Sequence, residues 1–182
     1  TFEQLGLNEK LAKSVAFAGY KTPTPIQVEA IPVLLEGKDL LGSAQTGTGK
    51  TAAFAIPILQ HIFESVDHAE KRKIRALVLA PTRELVTQIA ENFSTYAKYI
   101  NIKNTTIYGG VSQKRQEEAL RKGVDVIVAT PGRLMDLMNQ KIISLKDVKY
   151  LVLDEADQML DMGFVKDIRK IVSFIPKERQ SM

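Results

Sequence analysis

Leu40-Leu41-Gly42-Ser43-Ala44-Gln45-Thr46-Gly47-Thr48-Gly49-Lys50-Thr51 is the stretch on which the reading of this chain turns. A short apolar run gives way to a loop of small residues, then to Lys-Thr, then to the apolar segment Ala52-Ala53-Phe54-Ala55-Ile56. Small side chains let successive backbone N–H groups curl around phosphate oxygens, and a helix that starts where the loop ends adds the positive end of its dipole. Lys50 supplies a mobile ammonium for β- and γ-phosphates, and Thr51 a hydroxyl for Mg²⁺. The general pattern opens with glycine where this chain has Ala44, which is nearly as small; Gly47 and Gly49 preserve the tight backbone path. Ala44, Gln45, Thr46, Gly47, Thr48, Gly49, Lys50 and Thr51 are therefore assigned to phosphate binding.

Outward from this loop, short apolar runs alternate with longer amphipathic stretches. Residues 39–43, 76–80, 105–108, 125–129 and 150–153 read as strands, three of them almost continuously apolar, as strands covered on both faces must be. Residues 52–63, 84–100, 113–122, 133–139 and 161–174 read as helices. Repeated βα units of this length imply an α/β fold, a mainly parallel sheet flanked by helices on both faces. Ligands of such folds bind beyond the carboxyl ends of the strands. The charged stretch 64–75, with Lys71-Arg72-Lys73, reads as a solvated loop.

A second junction reads Leu151-Val152-Leu153-Asp154-Glu155-Ala156-Asp157. A carboxylate ending a buried strand is expensive without a positive partner. Mg²⁺ is such a partner, so Asp154 is expected to hold it opposite Thr51, with Glu155 placed to orient or deprotonate an attacking water. Helix-starting acids can be simple N-terminal stabilisers, an account that suits Asp157 better than Asp154.

Asp154-Glu155-Ala156-Asp157 spells the DEAD box, and the chain resembles the N-terminal, RecA-like P-loop NTPase domain of the DEAD-box ATP-dependent RNA helicases. The resemblance covers nearly all of residues 1–182 as one domain. It includes Gly19-Tyr20-Lys21-Thr22-Pro23-Thr24-Pro25-Ile26-Gln27, which matches the family's Q motif. It implies that Gln27 reads the adenine edge of ATP or ADP while Phe2 stacks on the base. A carboxamide offers the one donor and one acceptor that adenine requires. It also implies that strand ends carrying Pro81-Thr82-Arg83, Gly109-Gly110 and Thr130-Pro131-Gly132-Arg133 bind the backbone of one RNA strand. The residue types suit that role: Arg83 and Arg133 for phosphates, Thr82 and Thr130 for hydroxyl contacts, Gly110 for close approach. No base-reading set accompanies them, so contacts to phosphates and 2′-hydroxyls without sequence preference are expected.

The resemblance further implies that Asp157 couples the ATP site to RNA, and that a second RecA-like domain of the same polypeptide supplies arginines. In the family a Ser-Ala-Thr strand follows the DEAD box and lies between the phosphate-loop strand and the DEAD strand. The reading places that strand beyond Arg179-Gln180-Ser181-Met182. A chain stopping there is expected to leave the slot unpaired and to be unstable or to borrow a strand. An RNA-stimulated, unwinding ATPase is the leading reading, and an ATP-gated RNA clamp the alternative. A GTPase or small-molecule kinase is disfavoured, because no Asn-Lys-x-Asp segment occurs whereas Gln27 and its motif do.

Bulk properties agree. The 182 residues are one domain's worth; 25 Lys and Arg against 21 Asp and Glu leave +4, compatible with a nucleic-acid partner but not diagnostic. The sequence contains no cysteine, which excludes disulfide and thiolate-metal frameworks. Apolar runs are far too short for a bilayer span, so no membrane partner is expected. Thr1-Phe2-Glu3-Gln4 shows no secretory pattern, and a soluble, cytoplasmic protein is expected. His61 and His68 lack partners at metal-ligand spacing and read as structural or surface residues.

Overall fold

The computed structural model describes residues 1–67 and 69–182; His68 lies outside the described residues. Five parallel strands form the sheet: β1 (Ala76–Leu79), β2 (Asn104–Ile107), β3 (Val126–Ala129), β4 (Tyr150–Leu153) and β5 (Gln180–Ser181), in the order β2-β3-β1-β4-β5. Among the described residues eight α-helices surround it: α1 (Glu9–Phe17), α2 (Pro25–Leu35), α3 (Lys50–Ser65), α4 (Arg83–Tyr96), α5 (Gln113–Lys122), α6 (Pro131–Asn139), α7 (Ala156–Asp161) and α8 (Val165–Ser173). The expected α/β architecture, with helices on both faces, is present.

Side-chain alternation along β1 shows how the two layers arise. Ala76 and Val78 point into a core with α1, α2, α3 and α4, including Val15, Ile31, Ile58 and Phe93. Leu77 and Leu79 point the other way, among Leu134, Leu137, Met159 and Ile171 of α6, α7 and α8. Every residue of β1 and of β3 is buried, whereas edge strand β2 is half-exposed over three of its four residues. Central strands covered on both faces must be apolar throughout, and these are. No described helix is long and apolar enough to cross a membrane.

Three expectations are corrected. Residues 39–43 form no strand. Leu40 N–H donates to the Ser181 carbonyl at 3.0 Å and the Asp39 carboxylate accepts from Ser181 N–H at 2.8 Å, but Leu41 is fully exposed. Their neighbour β5 is two residues long and offers too short a ladder to draw the segment into the sheet. The slot beside the DEAD strand, expected to stay unpaired, is entered by residues 180–182. Gln180 N–H bonds Lys149 O at 2.8 Å, Met182 N–H bonds Leu151 O at 2.9 Å, and Leu153 N–H bonds Met182 O at 2.9 Å. The helix expected over 161–174 starts later, as α8 at Val165, because the chain up to Asp161 belongs to α7 and Gly163, with φ of +85°, separates the two; Gly163 N–H and Phe164 N–H return to the carbonyls of Leu160 and Met159.

In the charged stretch 64–75 Lys71 and Lys73 are exposed, as expected, but Arg72 between them is tied down. The Arg72 guanidinium reaches the buried Asp125 carboxylate at 2.5 Å and the Asn101 carbonyl at 3.1 Å, while Lys103 N–H donates to the same carboxylate at 2.9 Å. Charge-assisted bonds of this kind fix the turn before β1 to the turn before β3. Helices α1 and α2, which no periodicity announced, pack onto α4 and α3 respectively. The C-terminal turn of α2 is held at one atom: the Leu34 carbonyl accepts from Gly37 N–H at 3.0 Å, from His61 Nε2 at 2.9 Å and from Gln180 Nε2 at 2.9 Å. His61 is therefore a structural donor, and its ring stacks on Tyr150 at 5.5 Å.

Candidate nucleotide and RNA sites

The phosphate-binding stretch runs over the end of the sheet as an exposed loop and turns into α3 at Lys50. Gly47 and Gly49 have φ of +81° and +84°, values that side-chain-bearing residues adopt only at a cost. Thr48 Oγ1 donates to the Gln45 carbonyl at 2.6 Å and closes the loop on itself. Sixteen residues of α3 then aim their N-terminal amides at the loop.

Opposite the loop, β4 delivers Asp154, which is 4% exposed. Its N–H bonds the Leu79 carbonyl at 2.9 Å, fixing the strand end against β1. The Asp154 carboxylate lies 3.0 Å from Lys50 Nζ. A nearly buried carboxylate needs a cation, and in this structure the lysine ammonium provides it. Glu155 follows in the left-handed region, at φ +53°, a conformation that costs a non-glycine residue about 1–2 kcal/mol. That single residue turns the chain from β4 into α7, and Asp157 lies in the first turn of α7. Ala44, Thr46, Lys50, Asp154, Glu155 and Asp157 share the wall of one cavity of about 1050 Å³.

Thr51 and Asp154 are hard oxygen donors, the kind Mg²⁺ takes when most of its remaining ligands are phosphate oxygens and water. That Asp154 already binds a cationic group shows the site suits positive charge. The residues present therefore fit the metal.

Gln45, Gly47, Thr48, Gly49 and Thr51 are not on that cavity wall, and neither are the two residues expected to meet adenine, Gln27 and Phe2. Gln27 is completely buried; its Oε1 accepts from Thr24 N–H at 3.0 Å and its Nε2 donates to the Gly49 carbonyl at 3.1 Å. The first bond is the returning half of a helix-start capping box, and the second ties α2 to the last loop residue. A side chain at Gly49 would collide with the Gln27 carboxamide. Phe2 is 4% exposed and meets Tyr20 edge-on at 6.4 Å, inside the α1–α4 core. Its ring packs against Tyr20 of the Q-motif stretch. Tyr20 in turn packs edge-on against Tyr96, whose hydroxyl bonds it at 3.2 Å; burial, with the Tyr20 hydroxyl, pushes the Tyr96 phenol well above its ordinary range.

The other three strand ends lie side by side, because β2, β3 and β1 are consecutive in the sheet. Thr82 caps α4, accepting from Leu85 N–H at 3.3 Å, and its hydroxyl hydrogen stays free to donate. The Arg83 guanidinium sits 5.1 Å from the centre of the Tyr108 ring and beside Gly110, whose φ is +78°. Tyr108 is a positioning group that the residue pattern did not single out; the only hint was an aromatic two positions before Gly110. Pro81 lies in the bend after β1, and Thr130 precedes α6, with its N–H on the Ile107 carbonyl at 2.9 Å and no side-chain capping bond. Pro131 and Gly132 form the first turn of α6, and Arg133 follows with a buried Nη1 that has no partner. The structure thus brings Pro81, Thr82, Arg83, Gly110, Thr130, Pro131, Gly132 and Arg133 to one margin of the sheet.

The DEAD/DEAH box helicase family profile matches residues 24–182. The chain is 50% identical over its whole length to the probable ATP-dependent RNA helicase ddx27 of Dictyostelium discoideum, covering 23% of that protein. It is 49% identical to the ATP-dependent RNA helicase DeaD of Buchnera aphidicola subsp. Schizaphis graminum, covering 30% of it. It is 45% identical to the DEAD-box ATP-dependent RNA helicase CshA of Streptococcus pneumoniae, covering 34% of it. In each case all of this chain is matched, so it spans between about a quarter and a third of these relatives' length.

Proposed function

This chain belongs to the DEAD/DEAH box helicase family, and from that premise we propose that it is the ATP-binding domain of an RNA helicase, coupling ATP binding and hydrolysis to RNA binding and local duplex unwinding. The observation that carries the reading is the 3.0 Å contact between Lys50 Nζ and Asp154 Oδ1 across the phosphate loop. It brings the loop lysine and the strand-end carboxylate to one point, with Glu155 on the same cavity wall.

In this reading ATP places its phosphates in the loop of residues 44–51, against the backbone amides and the N-terminus of α3. Lys50 then exchanges Asp154 for phosphate oxygens, and Asp154 with Thr51 would hold Mg²⁺. The metal supplies neutralisation of phosphate charge when bound. Glu155 accepts a proton from, or orients, the attacking water. Gln27 can read adenine only by giving up its bonds to Thr24 N–H and the Gly49 carbonyl, so base recognition and loop conformation are linked through one carboxamide. Arg83 and Arg133 bind RNA phosphates, Thr82 and Thr130 donate hydroxyl bonds, and Gly110 lets the backbone approach. The turns at Pro81 and at Pro131-Gly132 set the height of that margin, and Asp157 stands where the two ligands could communicate. Charge on the transferring phosphoryl group calls for arginine, and a second RecA-like domain of the polypeptide is the proposed source. Such a residue contributes roughly 10³- to 10⁵-fold in turnover.

The test is Glu155→Gln in the full-length protein. ATP binding should persist while RNA-stimulated turnover falls by about 10²- to 10⁴-fold. Near-normal turnover would reassign the water-positioning role. Strand displacement with the wild-type protein separates unwinding from clamping.

A further inference from the structure

We propose that the first turn of α5 and the free edge of β2 form a further RNA subsite, which takes one ribose–phosphate unit beyond Gly109-Gly110. The proposal rests on the RNA reading above. A cavity of about 590 Å³ lies there, walled by Thr105, Thr106 and Tyr108 on the strand side and Ser112, Arg115 and Gln116 on the helix side. Ligand pockets run to roughly 300–1,000 Å³, so a nucleotide unit fits. The wall contains hydroxyls, an amide and one guanidinium, and no carboxylate.

Two independent features say what the ligand must offer. The first is anionic charge. Helix α5 is ten residues long, its N-cap Ser112 makes no side-chain capping bond, and Arg115 is exposed in the same turn. Uncapped N-terminal amides and a neighbouring guanidinium together favour phosphate. The second is a hydrogen-bond donor. Gln116 is 6% exposed, and its Nε2 donates to the Tyr108 carbonyl at 2.8 Å. A carbonyl only accepts, so the amide orientation is set and Oε1 is the group left over; it has no partner. A buried acceptor without a donor costs about 1–3 kcal/mol. A ribose 2′-hydroxyl next to a phosphate offers both features in one residue of RNA. Position favours RNA over other anions: Tyr108, which Gln116 holds by its carbonyl, carries the Arg83 guanidinium on its ring, and Gly110 adjoins Arg83.

The experiment measures binding of the full-length protein, with a non-hydrolysable ATP analogue, to a short single-stranded RNA and to the same RNA extended by several nucleotides at each end. Arg115→Ala should weaken the extended RNA several-fold and shrink its salt slope by about 0.7, the value for one phosphate contact on a single strand, while leaving the short RNA unchanged. Single 2′-deoxy substitutions through the extensions should reveal one position with a several-fold penalty, and Gln116→Met should abolish that penalty. An unchanged salt slope, or a 2′-deoxy penalty that persists in Gln116→Met, overturns the subsite. Arg133→Ala separates this from the parent reading: if it fails to weaken the short RNA, the main track is wrong, whereas a defect there with normal Arg115→Ala binding sinks the subsite alone.

Discussion

The two ends of the strand row handle their polar groups in opposite ways. Beside β4 the nucleotide groups are paired with one another: Lys50 with Asp154, Gln27 with the Gly49 carbonyl, and Thr48 with the Gln45 carbonyl. Beside β2, β3 and β1 the groups are left over: Arg133 Nη1 and Gln116 Oε1 have no partner, and Thr130 makes no capping bond. In the proposed reading Lys50 and Gln27 must give up internal bonds to take ATP, although Thr24 Oγ1 and Arg179 Nε on the same side are without a partner. The proposed RNA side retains unmet hydrogen-bonding capacity, which in that reading its ligand would fill. The comparison teaches where ligand binding competes with the fold and where it completes the fold.

Three substitutions test this contrast by melting the protein without ligand. The largest effect is expected from Lys50→Ala, which strands the Asp154 carboxylate. Breaking a fully buried pair costs about 3–5 kcal/mol, and because the Lys50 side chain is 31% exposed we expect about 1–3 kcal/mol here. Adding Asp154→Asn should restore much of the loss; a melting temperature unchanged in the single variant would show that the pair does not stabilise the ligand-free loop. Gln27→Ala comes next. It removes the bonds to Thr24 N–H and Gly49 O, so a loss of about 1–2 kcal/mol is expected, together with weaker ATP binding and a narrower gap between ATP and GTP. If ATP and GTP weaken equally in a titration, Gln27 shapes the loop and does not read the base. Smallest is Arg133→Ala, where stability should change by less than about 0.5 kcal/mol, since an unpartnered group is removed, while RNA affinity falls across unrelated sequences. A large drop in melting temperature there would break the contrast.

Legibility in the sequence followed distance along the chain. The phosphate loop, Asp154-Glu155 and the strand-end Thr-Arg groups are each consecutive residues whose chemistry is complete in a short quotation, and the alternation of β1 and β3 with helices was enough to set the fold. Features that depend on remote partners were hidden. Arg72 looked solvated because Asp125 is 53 positions away. Residues 39–43 looked like a strand because apolar character says nothing about how short the neighbouring strand is. The packing of Phe2 against Tyr20, and of Tyr20 against Tyr96, was hidden in the same way, because the three rings are far apart along the chain. Gly163 was visible as punctuation, but its power to split α7 from α8 came from its left-handed backbone.

The Leu34 carbonyl has a bearing on how this domain is made. One of its donors, Gln180, is 146 residues downstream, and the same Nε2 also reaches the Lys38 carbonyl at 2.6 Å. Synthesis proceeds from the N-terminus at about 5–20 residues per second. The end of α2 therefore emerges roughly 7–30 s before the side chain that finishes securing it. During that interval α2 relies on Gly37 and His61, and the Q-motif helix stays more open to chaperones and proteases than in the finished domain. A strand made 146 residues later thus acts as the latch for the Q-motif helix.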